Sequence, residues 1–264
     1  MVQIITGSIL VLIGIYVFYK YPIKNDTKSL ALGALFIVVT VILKRLTLMV
    51  PLFGAESLKI GFELIPLMLA GMLLTPGYCF IIGVAVDLVG LLIVPTGFPF
   101  LGFTLNCVLA ALIPSIIVQK IKIDKQNKLE IGIKIGLIIL LVCASMYILS
   151  LDSITVSKTV ITLQLWQKLV IIGGSIIMIT ILFIVMMAIK KKLEKQEVHI
   201  FYTWVVTVIL VEVCISFLLT PYWLQIMYNI PFMLSLFIRI IKACIMIPLD
   251  ICIGYSAFKV LRKI

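Results

Sequence analysis

The stretch FMLSLFIRIIKACIMIPLDICIGY, residues 232–255, is long and apolar enough to cross a lipid bilayer as one helix. A helix rises about 1.5 Å per residue, so roughly 20 apolar residues span the ~30 Å hydrocarbon layer. This stretch nevertheless carries Arg239, Lys242 and Asp250. Because a charge at the bilayer centre costs at least ~2.5 kcal/mol, each of these side chains is expected to meet a partner or a water-filled cavity.

The composition of the whole chain places it among the integral membrane proteins. Of its 264 residues, 63% are hydrophobic and 12% are charged, whereas soluble domains contain about 45–50% apolar and about 25% charged residues. The net charge of +11 is typical of nucleic-acid-binding proteins in soluble chains. Here the Lys and Arg residues fall mainly in short segments between apolar runs, so they indicate membrane topology and no nucleic-acid partner.

Nine apolar runs of membrane-spanning length predict nine transmembrane helices. They cover approximately residues 3–20, 30–50, 58–75, 78–95, 101–119, 131–150, 165–189, 200–220 and 231–258. The first run lacks the positively charged segment and the cleavage site of a signal peptide, so we expect it to stay attached with its N-terminus outside. Four Lys-rich segments then fall on the cytoplasmic side, as the positive-inside rule requires. These segments are residues 20–28, 120–128, 190–195 and 259–263.

The sequence contains no pattern for catalysis, metal binding or nucleotide hydrolysis. Its six cysteines lie in apolar stretches without a C-x-x-C pair, and His199 is its single histidine. A G-x-x-x-x-G-K-[ST] phosphate-binding loop is also absent. We therefore expect no enzyme, no catalytic residue, no cofactor and no metal site, and disulfides are not predicted.

The charged residues at membrane depth allow two interpretations. Arg239 and Lys242 are three residues apart and share one helix face in the outer half of the membrane. They either neutralise buried carboxylates and lock helices together, or they receive an anionic ligand from outside. The other charged residues at this depth are Arg45, Glu63, Asp87 and Glu212. The aromatic residues before the last helix, Tyr222 and Trp223, serve either as an interfacial belt or as stacking groups.

Two parts of the chain resemble one known family. Residues 58–118 contain IGFELIPLMLAG, VDLVGLLIVPTG and PFLGFTL, and residues 220–242 read TPYWLQIMYNIPFMLSLFIRIIK. These motifs are similar to those of the substrate-binding S component of energy-coupling factor (ECF) vitamin transporters, most closely the folate-specific group. Together the matches cover about residues 30–120 and 200–262, a little over half of the chain.

The resemblance implies an all-α bundle of six core helices that binds its vitamin near the outer face. Core helices 1–4 are expected in residues 29–120 and core helices 5 and 6 in residues 199–264. Residues 1–28 then add an N-terminal transmembrane helix, and residues 121–198 insert a helix pair that preserves the topology. The expected partners are folate or a related vitamin, an ECF membrane scaffold and two ATPase subunits in a prokaryotic plasma membrane. In the family, the first core helix docks on the scaffold through small residues, and the candidates here are Ser29, Gly33 and Ala34.

A folate site needs aromatic faces, polar hydrogen-bond partners and cations for the two glutamate carboxylates. The predicted carboxylate partners are Arg45, Arg239 and Lys242, the stacking groups are Tyr222 and Trp223, and the polar contacts are Thr104 and Asp87. For Asp87 an ion pair with a neighbouring cation is an equal alternative. The Pro- and Gly-rich segments 51–59 and 95–100 either cover the site or simply connect helices. Alternatives for the whole chain are a non-transporting scaffold or regulatory bundle, or an S component for a different vitamin.

Overall fold

The computed structural model describes residues 2–23, 26–52, 55–93, 99–120, 126–151, 153–156, 159–162, 164–192 and 195–262. The helices in these ranges are α1 Val2–Lys20, α2 Thr27–Arg45, α3 Leu64–Leu73, α4 Pro76–Ile93, α5 Leu101–Lys120, α6 Gln126–Ser150, α7 Leu165–Lys192, α8 Lys195–Val211, α9 Thr220–Tyr228 and α10 Phe232–Leu261. A π-helical segment, Glu212–Leu219, joins α8 to α9. Two antiparallel hairpins pair β1 Leu48–Leu52 with β2 Ala55–Ile60, and β3 Ser153–Val156 with β4 Thr159–Thr162.

The predicted class, a polytopic all-α membrane protein, is confirmed. Seven helical stretches of the described chain are long and apolar enough to cross a membrane. They are Val2–Lys20, Thr27–Arg45, Pro76–Ile93, Leu101–Lys120, Leu129–Ser150, Leu165–Lys191 and Glu197–Tyr228. The charged stretch at residues 232–255 lies within α10, a single helix of 30 residues.

The third predicted span, residues 58–75, was wrong in its length. Residues 58–60 belong to strand β2, and α3 has only 10 residues. Pro66 lies in the first turn of α3, where the missing proline N–H leaves no helical hydrogen bond unmade. Leu67 and Met68 are each 1% exposed. Because α3 is enclosed by other helices, it does not have to meet lipid along its length, so a helix shorter than a lipid-facing span is tolerated there.

The start of α2 shows where the three predicted docking residues lie. Asp26 caps this helix, since its carboxylate accepts hydrogen bonds from the Ser29 hydroxyl at 2.6 Å and from the Ser29 backbone N–H at 3.1 Å. These bonds, with the hydroxyl contributing most, lower the pKa of Asp26 below its usual value. Gly33 is buried, and a Cβ there would lie 3.4 Å from Ile82 of α4. Of the three residues, Ala34 is the one on the exposed face of α2.

Close contact between α4 and α5 forms the centre of the bundle. A Cβ on Gly83 of α4 would lie 2.7 Å from the backbone nitrogen of Val108 on α5. Such a distance is shorter than any normal contact, so the two backbones approach closely only because position 83 carries no side chain. Val86, Val108, Ala110 and Ala111 are fully buried around this contact.

Helices α6 and α7 pack on one side of the bundle. Helix α6 contacts α8 and helix α7 contacts α10. Ile148 of α6 is buried in a cluster with Phe237 and Ile240 of α10. At the opposite, Lys-rich end, Glu130 pairs with Lys134 at 2.8 Å and with Lys190 at 2.6 Å, which ties α6 to α7. The division into six core helices and three additional ones stays a prediction.

Topology can be tested by cysteine labelling, because the charge pattern assigns a side to each connection. In a variant with all six native cysteines replaced by serine or alanine, a cysteine at Gln164 should react with an impermeant thiol reagent added outside intact cells. A cysteine at Lys191 should react only after the membrane is opened. The reverse pattern would contradict both the predicted orientation and the alignment with the S components.

Candidate functional site

A first group of polar side chains joins α2, α4 and α5 in the half of the membrane predicted to be outer. Asp87 pairs with Lys44 at 3.4 Å, and the Thr104 hydroxyl donates a hydrogen bond to Asp87 at 2.7 Å. Arg45 donates a hydrogen bond to the backbone carbonyl of Gly90. Asp87 is 3% exposed. The structure thus brings Asp87 and Thr104 together and favours the ion-pair alternative for Asp87, with Lys44 as its cation.

The Gly83–Val108 contact explains how this first group is held. Asp87 follows Gly83 by one turn on α4, and Thr104 precedes Val108 by one turn on α5. Residues four apart lie on the same helix face, so the close backbone approach brings Asp87 within reach of Thr104.

A second group surrounds the two cations of α10. Arg239 donates from Nε to the Ser235 hydroxyl at 3.4 Å, and Ser235 is buried. Among the charged neighbours, Glu212 acts most strongly on both Arg239 and Lys242. Glu63 also acts on both cations, and Asp250 acts on Lys242. Arg239 and Lys242 are themselves half-buried, and carboxylates are among their charged neighbours.

Glu63 connects the two groups electrostatically. It is located at the start of α3, and its charge acts on Lys44 as well as on Arg239 and Lys242. The sequence assigned neither Glu63 nor Lys44 a role in the site. Only their positions could have indicated a role: Lys44 lies in the last turn of α2, before the β1–β2 hairpin, and Glu63 directly precedes α3, after it.

Glu212 begins the π-helical segment and is 2% exposed. A π-helix accommodates an extra residue and shifts the side chains that follow, and such segments often occur at functional sites. At the end of this segment the Ile215 carbonyl accepts from the backbone N–H of Thr220 and also, at 2.7 Å, from the Thr220 hydroxyl. The π-helix was not predicted, because hydrophobic periodicity does not reveal a single extra residue.

Trp223 is packed between helices. It is 4% exposed, and its ring meets the edge of Phe100 at a centroid distance of 5.5 Å. The indole N–H donates to Asn106 Oδ1 at 3.1 Å, and the Asn106 amide donates to the Thr220 hydroxyl at 3.2 Å. Tyr222, in contrast, is 49% exposed. The two aromatic residues, which the sequence treated alike, therefore occupy different environments.

Trp223→Phe should destabilise the protein by about 1–3 kcal/mol, because Asn106 Oδ1 would lose its donor in a buried position. Thermal unfolding of the purified protein in detergent measures this loss. Tyr222→Phe is the matched control and should stay within about 0.5 kcal/mol of wild type, since its ring is exposed. Equal unfolding free energies for the two variants would show that the hydrogen bond between Trp223 and Asn106 contributes nothing to stability.

The six cysteines, all within the described ranges, are free. Among the described residues, no three His, Cys, Asp or Glu side chains are grouped so that they could hold a metal ion.

Two curated proteins, each named folate transporter FolT, are similar to this chain. The protein from Leuconostoc mesenteroides is 28% identical over 118 residues, which are 45% of this chain and 60% of the relative. The protein from Clostridium novyi is 32% identical over 98 residues, which are 37% of this chain and 55% of the relative. No protein-family model matches the chain.

These comparisons agree with the resemblance carried by the quoted motifs. The chain spans 60% and 55% of the lengths of these two relatives. The helices confirm a multi-pass membrane protein. The predicted resemblance to the folate-specific S components is thereby confirmed: this polytopic membrane protein is similar to curated folate transporters over a substantial part of its length.

Proposed function

We propose that the protein is the substrate-binding membrane subunit of an ECF-type importer that takes up folate or a related pterin vitamin. The single observation that supports this most is the placement of Arg239 and Lys242. Both cations are half-buried on α10, in the half of that helix predicted to be outer, and the chain is similar to folate transporters. Half-buried cations of this kind favour a site that attracts carboxylates.

The ligand chemistry assigns roles to the surrounding groups. In this proposal the two glutamate carboxylates of folate approach Arg239 and Lys242, with Arg45 as a further cation. The pterin and aminobenzoyl rings need apolar and aromatic surfaces, which Tyr222 and the outer end of α9 offer. The hydrogen bond between Thr104 and Asp87 fixes α4 and α5 relative to each other. In this proposal it contributes to binding mainly by holding these two helices in position.

Uptake requires partners, because a binding subunit without an ATPase motif needs an external energy source. We propose a membrane scaffold subunit and two ATPase subunits in the bacterial cell membrane. Ala34, with Ala31 and Val38 on the same exposed face of α2, offers small side chains for close helix contact with the scaffold. Gly33 is not included in this proposed face because it is buried against Ile82 of α4.

Folate binding by the purified protein, measured by isothermal titration calorimetry in lipid nanodiscs, tests the proposal. We expect saturable binding of folate and weaker binding of a pterin without the glutamate tail, with riboflavin as the unrelated vitamin control. Mild purification from native membranes should also recover ATPase and scaffold subunits. Absence of folate binding would overturn the proposal. Binding without associated subunits would favour a non-transporting binding protein.

A further inference from the structure

The end of α10 that is predicted to be outer is joined to α6 by a hydrogen bond. The Tyr147 hydroxyl of α6 donates to the backbone carbonyl of Met233 at 2.7 Å, and the two residues are 86 positions apart in the chain. Met233 lies in the first turn of α10, and Arg239 follows it by less than two turns. The bond therefore holds α10 at the end that is nearer to the two proposed carboxylate partners, Arg239 and Lys242.

Apolar packing continues this connection along α10. The next residue of α6, Ile148, is 1% exposed and shares a buried cluster with Phe237 and Ile240 of α10. Helix α7 contacts α10 on the same side, where the Ser175 hydroxyl and the Cys244 thiol lie 3.2 Å apart. Helices α6 and α7 together therefore support α10 over several turns.

A lysine joins α7 to α6 at the same end of the bundle. Lys168 of α7 is 7% exposed and donates from Nζ to the Leu149 carbonyl of α6 at 3.0 Å. This carbonyl belongs to the last turn of α6, where backbone oxygens have no partner within their own helix. Because Lys168 supplies a donor for this oxygen, α6 and α7 hold the neighbouring Tyr147 hydroxyl as one hydrogen-bonded unit.

The supported side of α10 and the side that carries the cations face in opposite directions. Successive residues of an α-helix are turned by about 100° around its axis. Arg239 is therefore rotated by about 160° from Phe237, and Lys242 by about 140°. Since Phe237 packs on α6, both cations lie on the side of α10 that faces away from α6 and α7.

We propose that Tyr147 is a positioning residue for the carboxylate ligand, and that α6 and α7 hold α10 in the rotation that presents Arg239 and Lys242 to it. This inference rests on the proposed function, because it concerns the same two cations. Tyr147 itself lies behind α10 and does not touch the ligand. Its hydroxyl acts through the Met233 carbonyl, which fixes the start of the helix. The effect is selective, because it concerns the glutamate tail of the ligand and not the pterin ring.

Tyr147→Phe removes the hydroxyl and keeps the ring, and calorimetric titration in lipid nanodiscs measures the resulting affinity. Loss of this hydrogen bond should weaken folate binding about threefold to tenfold. The affinity for a pterin without the glutamate tail should not change, because that ligand has no glutamate carboxylates for Arg239 and Lys242. Tyr19→Phe is the matched control, since the Tyr19 side chain is 90% exposed, and it should bind both ligands like wild type.

A double-mutant cycle with Arg239→Ala determines whether Tyr147 acts through the cations. If it does, Tyr147→Phe should weaken folate binding less in the Arg239→Ala protein than in wild type, since part of the group that it positions is already absent. A merely structural role for Tyr147 predicts the same loss in both backgrounds and for both ligands.

The possible outcomes separate this inference from the proposed function. A folate affinity of Tyr147→Phe equal to that of wild type would overturn this inference and leave the proposed function intact. Equal losses for folate and the tail-free pterin would do the same, as would a loss in the Arg239→Ala background as large as that in wild type. Absence of folate binding by the wild-type protein would instead overturn the proposed function, and this inference with it.

Discussion

Arg239→Ala should weaken folate binding by about 1.5–3 kcal/mol, the range for a charge-assisted hydrogen bond, which corresponds to roughly tenfold to hundredfold in Kd. The empty protein should stay folded, because the hydrogen bond that Arg239 makes to Ser235 is long, at 3.4 Å. The loss should be much smaller for a pterin without glutamate carboxylates. Calorimetric titration with both ligands measures the difference, and Lys242→Ala should show the same ligand dependence.

The structural alternative for Arg239 predicts a different set of results. If the cation only neutralises Glu212 and Glu63, its removal strands buried carboxylates and lowers the stability of the empty protein by about 3–5 kcal/mol. Arg239→Lys is the matched control, since it keeps the charge but loses the planar group that binds a carboxylate through two hydrogen bonds. A large fall in apo stability for Arg239→Ala, with equal losses for folate and the tail-free pterin, would contradict its assignment as a carboxylate partner.

Gly83→Ala should destabilise the protein by about 1–3 kcal/mol or more, the usual cost of overpacking a tight contact. The new methyl group would lie 2.7 Å from the Val108 backbone nitrogen, so α4 and α5 would have to separate. Separation would also stretch the hydrogen bond between Thr104 and Asp87, which is 2.7 Å long. We therefore expect a lower unfolding temperature together with weaker folate binding.

Gly136→Ala on α6 provides the matched control for this variant. No atom lies within 4 Å of a Cβ built at Gly136, so the same substitution meets open space there. Alanine is favoured over glycine inside a helix by about 0.5–1 kcal/mol, so Gly136→Ala should be neutral or slightly stabilising. Equal behaviour of the two variants would show that the α4–α5 contact tolerates a side chain and does not position the site.

Individual elements show why the sequence predicted some features and missed others. The helix at residues 232–255 was predicted because a long apolar run has one stable conformation in lipid, a helix with all of its backbone hydrogen bonds internal. The short α3 was missed because hydropathy measures transfer to an apolar medium and does not distinguish lipid from the protein interior. The packing of Gly33 on Ile82 of α4 was not predicted, because a small-residue spacing does not show which neighbour lies close.

The sequence by itself determined that this is a helical membrane protein, which sides its Lys-rich connections are expected to occupy, and that Arg239 and Lys242 share one face of the last helix. These properties depend on local composition and spacing, since the bilayer acts on each segment separately. Only the tertiary structure decided that Asp87 pairs with Lys44 and Thr104, and that Asn106 holds Trp223. Electrostatic and hydrogen-bond partners come from helices far apart in the chain, and close backbone contacts such as that at Gly83 bring them together.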